Sequence, residues 1–307
     1  MTDLSLPRLT ANVDAQKQHM IALIALSVAV LAAFIPTGIT LNAGPWQTEQ
    51  EGHGPFILGI AAWIVWTKRA QLQSAVYSSA PVSGWIALLG GLALLFVGRS
   101  QNILAVETFS ALPILTGVVL LTSGWGVLRI LWFPIAVLFF AVPPPQWLMD
   151  SMTLPLKAMI SNAVTRMLYW AGYPIAQNGV VIMIGPYQLL VKDACAGLNS
   201  IFALSAIGVV YVYIMEHTSK LRNIVILLAI FPITVLANFV RVAALVLIAY
   251  HFGTAAVEGF LHEMTGIALF AVSFVLVLLF DGLLAIIAAA FHRMRRPAAT
   301  GGAALAK

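Results

Sequence analysis

The chain has 307 residues, with 16 Lys+Arg against 11 Asp+Glu, 61% hydrophobic residues and a mean hydropathy of +0.96. Only 9% of it is charged, where an ordinary soluble domain carries roughly 25% charge, so the sequence cannot supply the polar shell of a 307-residue globule. That excludes a soluble enzyme, a disordered chain and a nucleic-acid binder; the apolar runs are continuous rather than alternating, which excludes a membrane β-barrel. The expected fold is all-α, a single polytopic membrane domain over residues 1–307 with about eight transmembrane helices.

A spanning helix needs about 20 mostly apolar residues. In chain order the candidates are 20–37, 54–67, 82–98, 103–122, 130–145, 196–214, 224–251 and 264–290, of which the second and fifth are short. Residues 20–37 read as a retained first span rather than a signal peptide, because no small-residue cleavage site followed by an exported domain comes after Pro36. Lys and Arg set the orientation. With the N-terminus inside, eleven of them are cytoplasmic: Arg8, Lys17, Lys68, Arg69, Arg129, Lys220, Arg222, Arg293, Arg295, Arg296 and Lys307. Four are outside (Arg99, Lys157, Arg166 and Lys192), and Arg241 lies within a span. The asymmetry predicts residues 1–19 and the tail 292–307 in the cytoplasm.

The outer segment 146–195 is too long for a turn and too apolar for disorder. Leu148 to Trp170 places apolar residues at helical spacing with Asp150, Lys157 and Arg166 between them, which predicts an amphipathic helix on the outer membrane surface. Val180–Ile184 and Gln188–Val191 flank Gly185-Pro186-Tyr187 and predict a short hairpin. The segment leads into the sole cysteine, Cys195, which therefore has no internal disulfide partner.

Cys195 stands where the outer loop meets the sixth span. A helix N-terminus and the nearby Lys192 favour the thiolate; a small buried hydrophobe is the alternative. Arg241 lies inside the seventh apolar run, where an arginine costs roughly 2.5–3.5 kcal/mol on insertion scales, and Asn238 shares its face at i−3. Among the histidines, His19, His217 and His292 are cytoplasmic in this topology; His53, His251 and His262 remain for an outer site. His262 opens the eighth span, and His53 sits in Gly52-His53-Gly54-Pro55 before the second. His262-Glu263 fails to complete a zinc motif because position 266 is Gly, there is no G-x-S-x-G, and Asp281 has no second carboxylate for a dyad. No metal or cofactor is expected.

Cys-Ala-Gly-Leu at 195–198, Asn-x-x-Arg at 238–241 and a His opening the last span resemble, in order and spacing, the motifs of the exosortase/archaeosortase family. Gly52-His53-Gly54-Pro55 resembles the family's early His-Gly motif, and Phe133-Pro134 to Pro143-Pro144-Pro145 its fifth span and proline turn. The stretch from Trp46 to Pro55 is most similar to the exosortase B subgroup. Ala196 stands where the family often has Ser or Thr, so a hydroxyl there is dispensable. The resemblance implies a thiol transpeptidase of the bacterial inner membrane with its site facing the periplasm. Cys195 would be the nucleophile, Arg241 the oxyanion stabiliser and His262 the general acid and base, with Asn238 and His53 supporting. It further implies substrates that are exported proteins ending in a Pro-Glu-Pro-like motif, one transmembrane helix and a basic tail, with links to exopolysaccharide and biofilm. A transporter of an anionic substrate and a non-catalytic envelope assembly protein are the competing classes; both tolerate Cys195→Ser.

Overall fold

The computed structural model describes residues 25–26, 28–48, 51–190, 200–216, 219–257 and 260–295; side chains at 190, 200–201, 260–267, 269 and 291–295 lie outside the description. The chain forms two compact units, Met1–Ser151 and Met152–Lys307.

In the first unit, α1 (Val28–Gln47) ends in a 3₁₀ turn at Pro45–Gln47. It is followed by α2 (Gly54–Thr67), α3 (Arg69–Gln73), α4 (Pro81–Ser100), α5 (Leu104–Phe109), α6 (Ala111–Thr122) and α7 (Gly124–Val137). A 3₁₀ turn, Leu138–Ala141, prolongs α7. Pro81 opens α4 within its first turn, where a missing N–H costs nothing. Gly84, Gly91 and Gly98 recur every seventh residue on α4 and are all buried. A Cβ on Gly91 would come within 2.8 Å of the Ile114 backbone N, and one on Gly117 within 2.8 Å of Leu88 Cα. The two helices thus meet backbone to backbone, the way apolar helices associate where lipid gives no hydrophobic drive between them. Arg99 Nη2 donates to Glu107 Oε1 at 2.9 Å and to the Ala33 carbonyl at 2.9 Å, while Thr37 Oγ1 donates to the same Glu107 oxygen at 2.6 Å. This cluster ties α1 to α4 and α5.

Three prolines, Pro143 to Pro145, bar helix continuation and deliver the chain to α8 (Gln146–Trp170), whose Leu148 N–H donates to the Pro145 carbonyl at 3.0 Å. The second unit continues with β1 (Ile175–Asn178), β2 (Val181–Ile184) and β3 (Tyr187–Leu190), an antiparallel sheet in that order. Then come α9 (Ser200–Met215), α10 (Lys220–Phe252), a 3₁₀ turn at Thr254–Ala256, and α11 (Phe260–Arg295). The expected hairpin is present, with Ile184 opposite Tyr187 around Gly185-Pro186. The sequence reading omitted β1, which pairs Asn178 with Val181 across Gly179-Val180. Gly179 and Gly185 have φ of 62° and 53° at the first loop position. That is the type II′ requirement, which matches the strand twist.

Among the described residues each of the eight expected segments contains a helix, the fifth ending at Ala141 rather than at 145. Six helices are long and apolar enough to cross a membrane: Val28–Gln47, Pro81–Ser100, Leu104–Thr122, Gly124–Ala141, Lys220–Phe252 and, within α11, Phe270–Ala290. Gly54–Thr67 and Phe202–Met215 are shorter apolar helices. The fifth candidate gains length because its helix begins at Gly124, ahead of Arg129. The structure is an all-α polytopic membrane protein, and the large hydrophobics on its surface, such as Phe56, Trp66, Ile86, Leu228 and Ile286, suit lipid rather than water.

Candidate functional site

In the second unit α9, α10 and α11 share one apolar cluster of Leu204, Ile226, Ile230 and Val277, with Phe270 and Phe274 packed against it. A polar clamp closes one end of this trio. Arg222 Nε donates to Asp281 Oδ1 at 2.6 Å, Arg222 Nη2 to the Asp281 carbonyl at 3.2 Å, and Tyr211 Oη to Asp281 Oδ2 at 2.7 Å. One carboxylate thereby joins the last turns of α9, the first turn of α10 and the middle of α11. Asp281, which has no second carboxylate to form a dyad, is paired with Arg222, because α10 begins at Lys220 and carries Arg222 to the carboxylate.

The clamp fixes the register of what lies at the other end. Short connections make α10 antiparallel to both neighbours. Arg241 follows Arg222 by 19 residues, and His262 precedes Asp281 by 19. At 1.5 Å per residue both stand about 28 Å from the clamp, so the backbones of Arg241 and His262 are level on adjacent helices. The N-terminus of α9 points to the same end. His262 falls in the first turn of α11, its side chain outside the described residues. Cys195 lies between β3 and α9, also outside the described residues.

Arg241 and Asn238 are described in full. Both are buried on one face of α10, at 5% and 0% exposure. Among the described residues neither amide atom of Asn238 meets a hydrogen-bond partner. A buried amide left so costs about 1–3 kcal/mol, the kind of debt a substrate or an ordered water settles. The depth of Arg241 is less extreme than a central position in a span suggests. As a 33-residue helix, α10 is about 50 Å long against about 30 Å of hydrocarbon. Arg241 is 11 residues, about 16 Å, from its C-terminal end.

The outer segment builds a wall beside this helix. Ile160, Val164 and Leu168 of α8, Ile175, Ile182 and Ile184 of the sheet, and Val242, Ala243 and Val246 of α10 form one buried cluster. Tyr173 meets Tyr250 edge-on with centroids 5.4 Å apart, and His251 meets Tyr250 at 5.0 Å. The chain leaves α10 at Gly253, whose φ of 86° and ψ of 164° are open essentially to glycine alone. His53 belongs to the first unit. It caps α2, and its Nε2 lies 3.1 Å from the Phe140 carbonyl, which can only accept, so Nε2 carries the hydrogen. Gly54 has no room for a side chain, because a Cβ would overlap the Trp46 indole. Close packing thus accounts for a glycine directly after this histidine.

The sequence reading missed the Tyr211–Arg222–Asp281 clamp; an arginine beginning one apolar run and an aspartate inside the next was the signal available. Neither a curated protein nor a solved structure matches the chain. A family model described as transmembrane exosortase matches residues 46–279, from the end of α1 through most of α11, and so takes in the Cys195, Asn238–Arg241 and His262 motifs together. On that match the chain belongs to the transmembrane exosortase family.

Proposed function

We propose that this protein is a membrane-embedded cysteine transpeptidase that cleaves the C-terminal sorting signals of exported proteins through a thioester. Family membership supports a membrane transpeptidase of protein sorting; the particulars rest on the residues. The observation that carries them is the equal 19-residue spacing, which sets Arg241 level with His262 at the end of the trio where α9 begins, five residues after Cys195.

The Cys195 thiolate attacks the scissile carbonyl carbon, and the carbonyl π pair moves to oxygen. Arg241, a fixed cation with several donors in a low-dielectric setting, stabilises that oxyanion. Collapse breaks the C–N bond, with the departing amine taking a proton from the His262 imidazolium. The thioester remains on sulfur. An incoming amine or hydroxyl gives its proton to His262, attacks the same carbon and expels the thiolate, which restores the resting site. Asn238, one turn from Arg241 on the same buried face, offers its unpartnered amide to the substrate beside the guanidinium. The substrates are proteins with a Pro-Glu-Pro-like motif, a transmembrane helix and a basic tail. The enzyme sits in the bacterial inner membrane with its site on the periplasmic side, in keeping with the Lys and Arg asymmetry, and it serves exopolysaccharide-linked sorting.

The test is a reporter carrying such a tail, expressed with wild type or with Cys195→Ala at equal membrane levels. The variant should leave the reporter uncleaved. Normal processing by Cys195→Ala removes the thiol mechanism.

A further inference from the structure

The outer segment carries cations and no counter-charge. Between Asp150 and Asp193 the sequence holds Lys157, Arg166 and Lys192 but no carboxylate. Lys157 is buried, whereas Arg166 stands on the exposed face of α8. Among the described residues Arg166 makes no ion pair. A cavity of about 570 Å³ opens on that same face. Ala158 and Ala163 make room for it, Met159, Met167 and Trp170 give it apolar sides, and Asn162 and Arg166 supply its polar groups. These residues recur turn by turn, so the cavity follows the helix as a trough of about 18 Å from Ala158 to Trp170. The opposite face, with Ile160, Val164 and Leu168, packs with the sheet and α10, so the trough looks away from the protein.

The chemistry of the trough is graded along its length. Thioethers and alanines at Ala158 to Ala163 suit a hydrocarbon chain. At the other end Tyr169 and Trp170 are 66% and 84% exposed, and such amphipathic rings settle at the headgroup level of a bilayer. The fold sets the same end at a boundary: Tyr173, three residues past Trp170, meets Tyr250, two residues before α10 ends at Phe252. Arg166, one turn before Trp170, is then placed for the phosphate layer. Its planar fork takes two phosphate oxygens at once, and Asn162, one turn further, adds an amide donor. A zwitterionic headgroup would bring an ammonium too, and the outer segment has no carboxylate between positions 150 and 193 to receive it. A net-anionic headgroup leaves no such charge unpaired. A second copy of the chain, packed face to face by two-fold symmetry, would set Arg166 against its own counterpart with no carboxylate of the trough to separate them.

We infer that the exposed face of α8 is a binding site for an anionic phospholipid, with the phosphate on Arg166 and Asn162 and an acyl chain in the trough along Met167 and Met159. Bound there, the lipid fastens α8 to the membrane surface, and with it the sheet that packs on the helix's other face. The site is separate from the cleavage chemistry and does not depend on it.

The test is native mass spectrometry of the full-length protein in detergent, titrated with dioleoyl phosphatidylglycerol or dioleoyl phosphatidylcholine. Wild type should bind one phosphatidylglycerol about 10-fold more tightly than phosphatidylcholine, the lower end for a charge-assisted hydrogen bond. Arg166→Gln should remove that preference, and Arg166→Lys should keep part of it. Ala163→Leu fills the trough without touching a charge and should weaken both lipids. Both positions are exposed, so neither substitution disturbs the core. Inorganic phosphate should not displace the lipid, because it has no chain for the trough. An unchanged preference in Arg166→Gln overturns the site. An equal loss in Arg69→Gln, on a distant helix, would mean surface charge alone and overturns it too. Displacement by inorganic phosphate would mean a free-anion site and likewise refutes the lipid. If Arg166→Gln instead shifts the monomer–dimer balance while lipid affinity stays, the face belongs to a second copy and the inference falls.

Discussion

Replacing Asp281 with alanine should loosen the α9–α10–α11 trio at its clamp and misalign the site about 28 Å away. The carboxylate side chain is 6% exposed and its Arg222 partner 24%. Removing one member of a buried pair typically costs 3–5 kcal/mol, because the surviving charge is left uncompensated. The guanidinium here keeps some access to solvent, which favours the lower end, about 3 kcal/mol. At roughly 2–4 °C per kcal/mol for a large domain, the apparent Tm in detergent should fall by about 6–12 °C. Tyr211→Phe removes a single hydrogen bond to Asp281 and should cost only about 1–2 kcal/mol. The double variant Arg222→Met/Asp281→Leu replaces the pair with apolar groups and should recover most of the lost stability. Cleavage of the reporter should follow the Tm across this series, since the clamp acts only by holding register. A Tm within a degree of wild type for Asp281→Ala, or a double variant no better than the single one, would refute the clamp as a structural determinant.

Arg241→Lys keeps the charge but loses the planar fork. Losing an oxyanion donor costs on the order of 10²–10³ in rate, so the variant should insert normally and accumulate uncleaved reporter; near-wild-type cleavage would reduce Arg241 to a bundle charge. Glu51, in the connection between α1 and α2, has its carboxyl pushed above the ordinary 4.5 by burial. The folded state then holds the proton more tightly than the unfolded chain, so stability falls as pH rises from 4.5 through the raised value, and the loss persists above it. Glu51→Gln should therefore be more stable than wild type at pH 7, with the advantage gone below the ordinary carboxylate range; equal Tm values at pH 7 would contradict this.

The helices were legible because lipid imposes a simple rule, long apolar runs broken by charge and proline; among the described residues each run contains a helix, and six of these helices are long and apolar enough to span. The motifs that carry the family likeness were legible too, since thiol, guanidinium and imidazole are rare in such a composition. What escaped the sequence came from pairing across distance. Arg222 and Asp281 are 59 residues apart, and no local pattern links them. Lys157 has the spacing of a surface charge, and only the packing of α8 onto the sheet and α10 turns it inward. Strand β1 escaped because Ile-Ala-Gln-Asn has little β-propensity of its own; the Asn178-Gly179 pair was the turn signal that could have revealed it.

The thioester itself can be caught. Purified protein in lipid, mixed with the Pro-Glu-Pro reporter and quenched in acid within the first turnover, should carry the substrate's N-terminal portion covalently on Cys195. The adduct should be identifiable by mass spectrometry and released by neutral hydroxylamine. It should be absent in Cys195→Ala and should form much more slowly in His262→Ala, which lacks both the acid for the first step and the base for the second. Cleavage of the reporter by wild type with no hydroxylamine-sensitive adduct at Cys195 on that timescale would contradict covalent catalysis by this cysteine.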